Sequence, residues 1–155
     1  MSRPAPRAAP SNDAVAELRL TQEGERALRE AERLCYAMNI GIQAAEHLLC
    51  GALVVLHQAG VEGAPEPSQL EDGLLAIHGS SDEALTQQVM AGSAFRMALN
   101  DTARGAVERG LTDIDARVLV RGVIESGEVN PMFYAAAGTT KEALLALVSS
   151  AGDPG

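Results

Sequence analysis

Aromatic side chains are scarce in this 155-residue chain: there are two Phe, two Tyr and no Trp. Surfaces that stack bases or sugars therefore have little to work with. Positive charge is also short. Twelve Lys and Arg stand against twenty-one Asp and Glu, a net charge of −9. That balance opposes nonspecific nucleic-acid binding and favours a basic or cationic partner. No apolar run approaches the roughly 20 residues of a membrane span, and the start lacks a hydrophobic signal core. The two cysteines, Cys35 and Cys50, have no CxxC spacing, so buried reduced thiols in a cytoplasmic protein are the ordinary reading. No Walker-type Gly-Lys-Ser/Thr loop occurs anywhere, which leaves the chain without an obvious nucleotide site.

What is present is Ala, Leu and Val in helical patterns. Hydrophobic residues make up 46% of the chain, enough for one substantial core. Residues 1–13 are rich in Pro, Ala and Arg without periodicity and read as a disordered tail. Thr21 can cap a helix over 22–38, with Leu28, Ala31, Leu34, Cys35 and Met38 at helical spacing. Ala45, Leu48, Leu49, Ala52, Leu53 and Leu56 form a broad apolar stripe on a second helix near 44–57. Shorter helices are predicted near 68–78 and 81–90. The order then recurs, with helices predicted near 93–109, 115–126, 130–137 and 140–150. Nothing alternates at period two for long enough to argue a sheet, so the fold class is all-α.

Two phrases recur. Gly79-Ser80-Ser81-Asp82-Glu83-Ala84-Leu85, closing at Val89, is echoed by Gly138-Thr139-Thr140-Lys141-Glu142-Ala143-Leu144, closing at Val148. Each has a glycine stop, a hydroxyl residue and a glutamate placed for a helix start. Upstream, Ala45-Glu46-His47-Leu48-Leu49-Cys50-Gly51-Ala52-Leu53 lies 71 residues before Ala116-Arg117-Val118-Leu119-Val120-Arg121-Gly122-Val123-Ile124. A duplicated helical unit follows, one copy over about 16–91 and the other over about 92–150.

The first copy resembles the Clp N-terminal repeat, the substrate-receiving domain of Clp/Hsp100 unfoldases. Leu20-Thr21 stands at that family's Phe-Thr positions, Ala31 at an alanine of its first helix, and Glu46-His47-Leu48-Leu49-Cys50-Gly51 at its Thr-Glu-His-Leu-Leu-x-Gly segment. The second copy is similar mainly through Gly122, Val129, Gly138 and Val148. The resemblance implies two tandem four-helix repeats packed as one pseudo-twofold domain over 14–150. The sequence departs from the family at Ile40-Gly41-Ile42-Gln43-Ala44-Ala45, which replaces His-Asn-Tyr-Ile-Gly-Thr. In the second copy, Arg117-Val118 replaces Glu-His and Ala91-Gly92 replaces Phe-Thr.

In the phosphoarginine-reading branch of that family, the threonine at the first helix start and the glutamate of Glu-His form a small pocket. Resemblance carries those roles to Thr21 and Glu46. A helix N-terminus and a hydroxyl can hold phosphate, and a carboxylate can pair with guanidinium. The structural alternative makes Thr21 an N-cap and Glu46 a scaffold carboxylate. The equivalent second pocket, with Gly92 and Arg117, loses the hydroxyl and reverses the charge, so none is expected there. Phe133 and Tyr134 follow Pro131 at a helix start and belong to the core, unless exposure makes them peptide-docking anchors. His47, Cys50 and His57 lack the compact four-ligand spacing of structural zinc, and no metal or other cofactor is expected. Asp113 and Asp115 read as capping acids.

The resemblance implies a stand-alone binding protein, not an enzyme. It would take part in regulated proteolysis by binding degron-bearing substrate segments, adaptors or small molecules. Its partners would be Clp substrates, an adaptor, a Clp ATPase or a Clp peptidase, with no nucleic acid and no membrane. The alternative is a structural accessory docked on a Clp protease complex.

Overall fold

A computed structural model describes residues 18–149. The tail expected at 1–13 lies outside the described residues. The architecture is predominantly helical: α1 (Gln22–Ala37), α2 (Ala45–Gln58), α3 (Pro67–His78), α4 (Ser93–Glu108), α5 (Ala116–Glu125), α6 (Met132–Ala136) and α7 (Lys141–Leu147). Six of the eight expected helices agree with the sequence reading to within about two residues at most ends, the usual uncertainty of a helix boundary. The last, α7, stops short of the expected residue 150 because Val148 already leaves helical geometry (φ −121°).

The remaining one, expected over 81–90, does not form. Ser81 Oγ accepts from the Glu83 amide at 3.1 Å, two residues on, which makes a local turn and not the three-residue reach of a helix cap. The Ser81 amide donates to the Met38 carbonyl at 3.1 Å, and Asn39 Nδ2 donates to the Ser81 carbonyl at 2.7 Å. The segment's backbone is thus committed to the end of α1. Its apolar content is also thin: Val89 is buried, Leu85 is half-buried, and Thr86-Gln87-Gln88 is exposed. The later copy does form α7. Thr140 Oγ1 accepts from Ala143 N at 3.0 Å, and Leu144 and Val148 are buried.

Short strands also depart from the all-helical expectation. β1 (Arg19–Leu20) pairs in parallel with β4 (Asp113–Ile114), and β2 (Ile42–Gln43) pairs in parallel with β3 (Met90–Ala91). Two-residue strands are too short for any alternation to register in the sequence. Their positions follow the sequence echo: β3 lies 71 residues after β1 (19 to 90), and β4 lies 71 after β2 (42 to 113). The helices α1 and α4 keep the same offset at both ends, as do the starts of α2 and α5. Each ladder therefore joins the entry to one half's first helix with the entry to the other half's second helix.

Small residues set the helix crossings. A Cβ at Gly51 would stand 2.2 Å from the Ala27 carbonyl oxygen, so α2 lies directly on α1. One at Gly122 would stand 2.3 Å from Thr102 Oγ1, which brings α5 onto α4 at the matching place. At a third close approach, Gly73 of α3 receives the Phe133 ring, 2.7 Å from where its Cβ would be. The stripe expected on α2 proves too narrow a description. Every residue from Ala45 to Leu56 is buried, including Glu46 and His47. A helix enclosed on all sides is the centre of a core, and α2 packs on α1, α3, α4 and α5.

Candidate functional site

The buried polar groups gather at the start of α2. Ala44, the N-cap, has no side-chain acceptor, so His47 at the third helical position supplies the only reciprocal bond: its Nδ1 accepts from Ala44 N at 2.9 Å. The ring proton therefore sits on Nε2, which is buried without a hydrogen-bond partner among the described residues. Burial, and secondarily the neighbouring His78, push the His47 pKa down to about 4, so the ring is neutral near pH 7. His47 stacks on His78 with ring centroids 4.8 Å apart.

Glu46 is one residue earlier and equally enclosed. Its Oε1 lies 2.7 Å from His78 Nε2 at the end of α3. Its Oε2 accepts from the Asn130 amide at 2.7 Å, in the turn between α5 and α6. Burial alone would raise the carboxyl's pKa. The bonds from His78 and Asn130 outweigh it and hold the group below the ordinary carboxylate value. Asn130 Oδ1 in turn accepts from Met132 N at 2.9 Å and starts α6. One carboxylate thereby ties α2 to an element of each half. A carboxylate on an imidazole can orient a general base. Among the described residues, however, no hydroxyl or thiol is hydrogen-bonded to His78.

Thr21 is elsewhere. Its Oγ1 accepts from Gly24 N at 3.0 Å as the N-cap of α1, and its amide donates to the Ile114 carbonyl at 3.1 Å in the β1–β4 ladder. No hydrogen bond links Thr21 to Glu46 among the described residues, and their partners belong to different parts of the fold. At the matching position, Gly92 N donates to Gln43 O at 2.9 Å, and a Cβ there would stand 2.8 Å from both Gln43 O and Ile42 Cγ2. A threonine at residue 92 would not fit without a shift. Arg117, 71 residues after Glu46, is half-buried on α5.

Phe133 is fully buried against Gly73 and Ala137 and so takes the core role, because docking needs an exposed ring. Tyr134 meets it edge-on, with centroids 5.9 Å apart. Burial, with the Glu46 and Glu142 charges, raises the Tyr134 phenol to about 12. Tyr134 lines an open groove of about 430 Å³ together with Ile124, Val129, Pro131 and Thr139. Asp115 caps α5, its Oδ1 accepting from Val118 N at 2.9 Å. Asp113 lies in β4. Cys35 and Cys50 are buried free thiols. Burial raises the Cys35 pKa to about 12 and holds that of Cys50 well above the ordinary thiol value. His57 is exposed while His47 and Cys50 are buried, and no group of three metal-type ligands converges among the described residues.

Sequence reasoning missed three partners. His78 and Asn130 complete the Glu46 cluster, and Glu23 Oε1 accepts the Ala116 amide at 3.1 Å, capping α5 from α1. The Asx turn at Asn130-Pro131 was a readable local signal; the other two had none. No helix among the described residues is long and apolar enough to cross a membrane. No family model matches this chain, and no curated protein matches it significantly.

Proposed function

We propose that this chain is a protein-binding module of the Clp N-domain type, built from two tandem four-helix-derived repeats and acting in regulated proteolysis. The observation that carries the reading is the shared 71-residue offset of helices and strands, with Glu46-His47-Leu48-Leu49-Cys50-Gly51 on the enclosed central helix. The module's ligands would be degron-bearing or basic segments, adaptors, or Clp components. A pull-down from the native host tests it: recovery of a Clp ATPase, a Clp peptidase or a set of marked substrates is expected, and recovery of none of them would end the reading.

Binding of phosphoarginine by Thr21 and Glu46 would have to reach a buried carboxylate that already bonds His78 and Asn130 and lies apart from Thr21. That engagement favours a second reading, a structural accessory on a Clp protease complex. Such an accessory would co-purify with a protease core and show no affinity for phosphoarginine peptide in a direct titration.

A further inference from the structure

The first half carries an open groove next to the 81–90 segment that does not form a helix. It is about 340 Å³ and lies between the end of α1 and the exposed face of α3, lined by Ala37, Met38, Glu71, Asp72, Leu75 and Ser80. Leu75 is 50% exposed, on a face of its helix away from the core-facing, fully buried Leu74. Its neighbours in the groove add apolar surface from Met38 and Ala37. Both carboxylates, Glu71 and Asp72, are exposed, and neither belongs to an ion pair among the described residues. No lining residue is basic. Ser80 closes one end, held near α1 because the adjoining Ser81 amide donates to Met38 O.

We propose that this groove docks a basic, apolar segment of a partner protein: one aliphatic side chain seated on Leu75 and Met38, with flanking lysine or arginine reaching Glu71 and Asp72. The apolar floor supplies area that is non-directional, and the paired acids select the sign of the neighbours. The net charge of −9 steers the same cations toward the molecule. A negatively charged or neutral polar segment is disfavoured there, since it would leave two carboxylates facing like charge or poorly paired groups. This surface deepens the protein-binding reading above and rests on it, but uses neither Thr21 nor Glu46.

The test titrates the full chain with a synthetic leucine–lysine amphipathic peptide and follows backbone amide shifts by NMR. Saturable binding is expected, with the largest shifts at Met38, residues 71–75 and Ser80. Leu75→Ser, and separately Glu71→Gln with Asp72→Asn, should each weaken binding about tenfold or more, as loss of a central contact does. A control pair with equal charge change, Asp101→Asn with Glu108→Gln on α4, should change affinity less than about twofold. All these side chains except the half-buried Asp101 are exposed, so folding is checked simply by the unchanged amide spectrum.

No saturable binding, shifts centred elsewhere, or equal weakening by the control pair would each overturn the assignment. Binding seen only after removal of residues 1–17 would hand the groove to the chain's own Arg3–Arg7 segment and also overturn it. The outcome separates from the proteolysis reading. Peptide binding without Clp components in the pull-down would sink that reading and keep the groove; Clp components without peptide binding would do the reverse.

Discussion

The first and second halves share their short strands, their first helix and the start of their second helix at a 71-residue offset, yet they use them differently. In the first half the central helix α2 is wholly enclosed and carries Glu46 and His47 into the core; its counterpart α5 puts Arg117 and Arg121 at half-buried positions. The first half's closing phrase forms no helix, whereas the second half's folds as α7. One ladder exposes Ile42 and Met90 at 63% and 67%, while the other carries Arg19 and Asp113 at the matching positions. Similar local patterns therefore reach different ends according to what packs against them. Buried Glu46 is met by partners from both halves, whereas buried Thr102 donates to Ala98 O within its own helix.

The widest separation between the halves is expected at their glycines. Gly51→Ala drives a Cβ into a backbone carbonyl that cannot turn away, and should cost about 3 kcal/mol or more by chemical denaturation. Gly122→Ala meets the Thr102 side chain, and Thr102→Gly should restore much of its loss. An equal cost at both glycines, with no rescue, would remove the distinction.

Acid should act through the first half. The His47 pKa falls from 6.5 to about 4 on folding, so the unfolded chain takes up a proton between those values while the folded chain does not. Stability present above pH 6.5 is therefore lost as pH falls toward 4, by about 3 kcal/mol in this single-site picture. From 4.5 downward Glu46, whose pKa is lowered on folding, adds a further loss, because the unfolded chain takes up that proton before the folded one does. His47→Gln, which can still accept from Ala44 N, should flatten the limb between pH 6.5 and 4; an unchanged profile of denaturation midpoint against pH would contradict the assignment.

Glu46→Gln keeps one acceptor for the Asn130 amide but loses the charge-assisted bond to His78, and should cost about 1–2 kcal/mol. The matching Arg117→Gln, at a half-buried position, should cost less than about 1 kcal/mol. The smallest contrast lies in the two closing phrases. Thr140→Ala removes a helix cap and should cost about 1 kcal/mol, while Ser81→Ala, which caps no helix, should cost a few tenths at most. Equilibrium denaturation of the four single variants measures both pairs.

Much of this was legible in the residues. The stripe from Ala45 to Leu56, the caps at Thr21, Asp115 and Thr140, and the stops at Gly79 and Gly138 all act within one or two turns of chain. Such signals are local and survive without knowledge of the fold. The candidate site was legible only in part. Glu46 was singled out, but Thr21 was set beside it by resemblance, and the bonds of each lead elsewhere. The capping signature at Ser81 misled because the same side chain can close a turn as readily as it can start a helix.

Periodicity and capping chemistry placed the seven helices of the described residues in order, and also called for an eighth over 81–90 that does not form, because each signal depends on neighbours a few positions away. Tertiary structure alone decided that Glu46 meets His78 and Asn130, 32 and 84 residues distant, and that Glu23 caps a helix 93 residues on. It also decided which copy of the closing phrase became a helix. The reason is physical: a buried carboxylate or an unpaired amide is satisfied by whatever group the packing brings near, and no window of sequence contains that group.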